Sequence, residues 1–175
     1  MNNVPLSPVE RAAYHEAGHL VMARELGLRI DAVRMPLPLE LNHASRFASL
    51  GEMFAHVGGD DRLKRLAVRK YLRFLLAGPA AVLLRLEAHH DLDETSPHRA
   101  RFRCNWLKRT LSRNDADLDT AYALLLAWGR ACPEKDLGDE FQRQWTLALA
   151  AYQYPTLWRR VRRVALRLIE RHPQE

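Results

Sequence analysis

The chain has 175 residues, 47% of them hydrophobic, with 27 lysines and arginines against 21 aspartates and glutamates for a net charge of +6. That length suits a single domain over residues 1–175 with a core of its own, and the apolar content excludes a disordered tail or a fibrous repeat. No charge-free apolar run approaches membrane-spanning length, the first residues lack the basic-then-apolar layout of a signal peptide, and two cysteines make no disulfide framework, so a cytoplasmic protein with Cys104 and Cys132 as free thiols is expected.

The first predicted element is a helix from Pro8 to Leu26. Ser7-Pro8-Val9-Glu10 is a capping box with proline at the first helical position, and Gly27 stands where a left-handed residue would end the helix. Inside it lies His15-Glu16-Ala17-Gly18-His19. Residues four apart stack on one helix face, so both imidazoles can reach one Zn²⁺ at about 2.0–2.1 Å. Glu16 points about 100° round the helix, beside the metal and not onto it, where a general base for an activated water belongs. The apolar neighbours Val9, Ala12, Ala13, Ala17, Leu20 and Val21 predict a buried helix, in which two histidines need partners.

A strand is expected over residues 29–35, ended by Pro36 and Pro38, and a second over 46–56 before Gly58-Gly59. A helix follows from Asp61 with Leu63, Leu66, Ala67, Phe74 and Leu75 inward, breaking or kinking at Gly78-Pro79 and continuing to Leu86. Residues 88–98 read as a surface loop by their Ser, Pro and Asp content, in preference to a second metal site at His89, His90 and Asp91. Further helices are predicted over 102–111, 117–128, 141–151 and 156–172. The last carries Arg159, Arg160, Arg162, Arg163, Arg167 and Arg171, which reads as the solvated face of an amphipathic helix; no nucleic-acid-binding motif accompanies the charge, so nucleic acid is not an expected partner.

Ala13-Tyr14-His15-Glu16-Ala17-Gly18-His19-Leu20-Val21 resembles the zinc helix of the peptidase domain of FtsH, the membrane-anchored AAA protease. Weaker likenesses follow in the same order: residues 28–36 with Ser49-Leu50-Gly51-Glu52-Met53-Phe54, then Leu75-Leu76-Ala77-Gly78-Pro79-Ala80-Ala81, then residues 112–125. The resemblance implies an α+β fold, predominantly helical, with a small β-sheet and a C-terminal helical bundle. It also implies an aspartate at the start of a helix as third zinc ligand, and the chain offers Asp115 and Asp117. Asn114-Asp115 keeps the family dipeptide, whereas Asp117 is followed by Leu118, Ala121, Tyr122, Leu125 and Trp128, an apolar stripe that turns its carboxylate toward the core. Asp117 is therefore the expected ligand and Asp115 the alternative, the latter otherwise serving as a helix cap.

The chain departs from the family at Val82 and Leu83, where FtsH proteins carry a pair of glutamates, and it holds no G-x-x-x-x-G-K-[ST] phosphate cradle. The expectation is a zinc metalloendopeptidase with ligands His15, His19 and Asp117 and base Glu16, acting on unfolded proteins or short peptides without an ATPase motor of its own. A separate ATPase or self-association is left open as a partner. The rival expectation is a weak or inactive metal-binding protein of the same fold.

Overall fold

The computed structural model describes residues 6–28, 61–92, 96–111, 115–131 and 136–171. In chain order the helices are α1 (Pro8–Leu26), α2 (Asp61–His89), α3 (Arg99–Leu111), α4 (Ala116–Ala131), α5 (Leu137–Gln153) and α6 (Pro155–Arg171). Among the described residues there is no strand, which corrects the α+β expectation to an all-helical one; the segments 29–35 and 46–56 assigned to the sheet lie outside the described residues, as does Cys132. Among the described residues the apolar faces of α1 and α2 are covered by helices: α4 and α5 on α2, and α6 on α1.

The ends of α1 follow its local signals. Ser7 Oγ accepts from the Glu10 N–H at 3.1 Å, and Gly27 adopts φ 66° so that its N–H reaches the Arg24 carbonyl and the Leu28 N–H the Ala23 carbonyl, a Schellman closure that stops the helix. Lys70 adds a cation at the same end, donating to the Leu26 carbonyl at 3.1 Å. The Glu10 carboxylate pairs instead with Arg85 of α2, 2.8 Å from Nε.

Small residues set how closely α1 and α2 approach. Ala13, Ala17, Ala77, Ala80 and Ala81 are all fully buried, and a Cβ on Gly18 would stand 2.6 Å from the Ala77 carbonyl oxygen and 2.8 Å from the Ala81 Cβ. Tyr152 of α5 closes the other side, donating its hydroxyl to the Gly18 carbonyl at 2.6 Å; burial pushes the phenol well above its ordinary range, so it stays a donor.

Four readings differ from the sequence. α2 runs unbroken through Gly78-Pro79 to His89. Proline inside a helix costs about 3 kcal/mol, but every residue from Phe74 to Leu83 is buried, and burial of several such side chains at roughly 1.5–3 kcal/mol each outweighs it. Leu63 and Leu66 are about half exposed rather than inward. Tyr122 is 62% exposed and Leu124 takes its place on the inner face of α4 beside Leu118, Ala121, Leu125 and Trp128. The 88–98 loop begins later than expected, with Ala88 and His89 still helical and Asp91 at φ 52° in the turn that follows.

Gly18→Ala should destabilise the protein by about 1–3 kcal/mol, since both clashing groups sit in a core with no room to give. Urea unfolding of the variant against wild type measures it; equal midpoints would mean that α1 and α2 can separate freely.

Candidate metal centre

Three helices bring one residue set together. His15 and His19 lie one turn apart on α1, their rings 4.7 Å apart and edge to face at 70°. The space they occupy exists because residue 78 of α2 is glycine: a Cβ there would fall onto His19 Nε2 and within 2.9 Å of His15 Nε2. On α4, Asp117 Oδ2 stands 2.7 Å from His15 Nε2 and 2.9 Å from His19 Nε2, while the two Nε2 atoms are 3.1 Å apart.

The orientation of His19 is fixed from behind. Its Nδ1–H donates to the Phe74 carbonyl at 2.9 Å and its ring packs on the Phe74 ring at 4.8 Å. That bond places the lone pair of the neutral imidazole on Nε2, aimed at the other two donors, as a metal-ligating histidine requires.

Two Nε2 atoms and a carboxylate oxygen this close require positive charge among them, from protons or from an ion. Burial opposes charge on His19, but Asp117, Glu16 and the Phe74 carbonyl outweigh it and hold the imidazolium up to about 9. Burial likewise opposes ionisation of Asp117, and the two histidines overcome it, holding the carboxyl far below the usual range. Glu16 is half-buried, and desolvation raises its carboxyl above the ordinary 4.5 against the pull of His19 and His15.

The donor set fits a metal ion. The three atoms form a triangle with edges of 2.7, 2.9 and 3.1 Å, a few tenths short of the roughly 3.3 Å between tetrahedral zinc ligands at bonds of about 2.0–2.1 Å. Two imidazoles and one carboxylate are also the usual protein share of a catalytic zinc, with a position left for water. The side chains of His15 and Asp117 are 23% and 21% exposed and that of His19 only 2%, so the site opens along the His15 and Asp117 edge. Among the described residues this is the one cluster of three or more His, Cys, Asp or Glu able to share an ion.

Asp115 is the cap of α4. Its Oδ1 accepts from the N–H groups of Asp117 and Leu118 at 3.2 Å each, which orders the turn that presents Asp117. Val82 and Leu83 are buried. Sequence reasoning overlooked the Phe74 carbonyl, which no side-chain pattern reveals, and Gly78, whose signal was present as a glycine inside an otherwise apolar helix but was taken for a break. Tyr71, also buried, lies close enough to Asp117 for that carboxylate to add to the upward shift that burial gives its hydroxyl. The chain matches no protein-family model, no curated protein and no solved structure.

Gly78→Ala should weaken zinc binding about 10–100-fold by pushing the imidazoles aside, and Asp117→Ala more than that, whereas Asp115→Ala should leave the metal in place and lose about 0.5–2 kcal/mol of stability. Competition against a chromophoric chelator measures all three. The charge pattern also sets a pH dependence. A histidine raised from 6.5 to about 9 stabilises the metal-free fold fully below 6.5, and that contribution is lost as pH rises through about 9. Asp117, depressed below its ordinary 3.8, contributes above that value and loses its contribution in acid. Metal-free protein should therefore melt lower near pH 9.5 than near pH 6, and zinc should add more stability at the higher pH because its ligands must be deprotonated; thermal melts with zinc and with a chelator check both signs.

Proposed function

We propose that this chain is a zinc-dependent metallopeptidase of the FtsH-peptidase type, acting on unfolded or short peptide segments. The observation that carries the reading is the meeting of Asp117 Oδ2 with both Nε2 atoms of the His15-Glu16-Ala17-Gly18-His19 helix, in a geometry that leaves Glu16 beside the donor set and outside it. His15, His19 and Asp117 would hold the ion. Zinc bound there supplies Lewis acidity, lowering the pKa of a water toward about 7 and polarising a peptide carbonyl.

The remaining work belongs to the chain. Glu16 takes the proton of the attacking water, for which a carboxyl pushed up by burial is better matched than an ordinary one. It then returns that proton to the departing amine nitrogen, so the C–N bond breaks without releasing an amide anion. The Phe74 carbonyl holds His19 in one tautomer and orientation throughout. The partly exposed edge formed by His15 and Asp117 admits the peptide, while buried His19 and Gly78 form the floor.

A second reading, a metal-binding protein with little or no turnover, draws on Val82 and Leu83, which bury apolar side chains where the resembled family has glutamates. Glu16→Gln separates the two. The amide is nearly isosteric and Glu16 donates no ligand atom to the cluster, so zinc content and fold should be retained while cleavage of denatured casein falls at least about 10²–10⁴-fold. Undiminished cleavage by the variant would assign proteolysis to another source, and absence of cleavage by zinc-loaded wild type would favour the binding protein.

A further inference from the structure

The outer face of α6 concentrates positive charge. Arg159, Arg162, Arg163, Arg167 and Arg171 are all exposed, spread over about 18 Å of helix axis, and Glu170 is the one acid among them. Arg160 is the exception that shows what pairing looks like here, its Nη1 lying 2.6 Å from Glu25 of α1. Arg159 spends its Nε–H on the Pro155 carbonyl at 3.2 Å, which leaves its charge facing solvent. The inner face is already committed: Val161 and Ala165 are fully buried, with Leu157, Trp158, Val164, Leu168 and Ile169 packed against the same core. α6 is thus a rigid rod whose free side is cationic.

Within that side stands Leu166, 51% exposed, on the same stripe as Arg159, Arg163 and the acid Glu170, with Arg162 and Arg167 flanking it. Tyr154, 66% exposed, sits at the turn that opens the helix. We propose that the outer face of α6 docks on an anionic phospholipid surface, with the arginines on headgroup phosphates and Leu166 at the acyl boundary. Guanidinium pairs with phosphate in a bidentate fork, and the long arginine stems let the charges stay at headgroup level while the leucine goes deeper. A phosphodiester chain offers phosphates as well, but it gives an aliphatic side chain in the middle of the cationic stripe nothing to bury against. An acidic protein lacks the continuous plane that a straight convex helix can lie along. The inference is independent of the metal centre, whose ligands His15, His19 and Asp117 lie on α1 and α4 and not on α6.

Co-sedimentation of the full chain with vesicles tests it. Protein should pellet with phosphatidylcholine vesicles containing about 30% phosphatidylserine and stay in solution with phosphatidylcholine alone, with binding falling as salt rises from about 0.05 to 0.5 M. Arg162→Gln, Arg163→Gln and Arg167→Gln together should weaken binding about 100-fold. Leu166→Ala should weaken it about tenfold while keeping the same salt dependence. All four positions are exposed, so circular dichroism and zinc content should match wild type. Failure to pellet with phosphatidylserine vesicles at low salt overturns the proposal. So would a duplex oligonucleotide that binds more tightly than the vesicles and is indifferent to Leu166→Ala, which would make the face a nucleic-acid surface.

Discussion

The close crossing of α1 and α2 is the constraint on which the rest of the molecule depends. Gly18 lets the Ala77 carbonyl and Ala81 lie against the backbone of α1, and Gly78, one residue on, leaves room for the imidazoles of His15 and His19. One packing decision thus serves two ends. The absence of a Cβ at 18 brings the helices together, and its absence at 78 gives the resulting gap to histidine nitrogens. A wider crossing would also part His19 Nδ1 from the Phe74 carbonyl, and the ring would then be free to turn its lone pair away from Asp117.

Polar contacts tie the outer helices to the α1 and α2 pair. Glu140 and Gln144 of α5 are buried, and they face Arg69 and Arg73 of α2: Arg69 forks onto both Glu140 oxygens at 3.1 and 3.2 Å, and Arg73 donates twice to Gln144 Oε1 at 3.1 and 3.0 Å. Arg69 also lies 5.9 Å over the Trp128 ring of α4, so one guanidinium links three helices. At the other end of α2, Glu87 is almost fully buried between Arg99 and Arg103 of α3. Desolvating such pairs offsets much of their attraction, whereas removing one partner would leave a buried charge or amide unpaired.

How far the site was legible depended on whether its determinants were local. The ends of α1 followed from Ser7, Pro8 and Gly27, because caps are read within a few residues. The histidine spacing and the register of Asp117 are likewise helical periodicity, and the structure brings those three residues together. Tyr122 shows where periodicity runs short: an apolar stripe two residues wide leaves the helix free to rotate by a fraction of a turn, and Leu124 with Leu125 won the buried side. Gly78-Pro79 reads as a break by every local rule, and it is continuous only because helices from distant parts of the sequence bury the turns on both sides. Arg69 with Glu140 and Arg73 with Gln144 each join residues 71 apart, which no single-sequence pattern links.

The centre is also the place where α4 is joined to the fold. Leu118, Ala121, Leu124, Leu125 and Trp128 seat that helix on α2 by apolar contact, and Asp117 extends the same inner face by one position into the histidine pair. The charge on Asp117 is stable there only beside a cation, whether the His19 imidazolium or a metal, since burial alone would raise its carboxyl. Whatever neutralises the carboxylate therefore holds α4 in place, and whatever seats α4 completes the donor set. Binding of a cation at Asp117 and seating of α4 are therefore coupled, and loss of the buried apolar side chains that hold α4 on α2 should lower metal affinity along with stability.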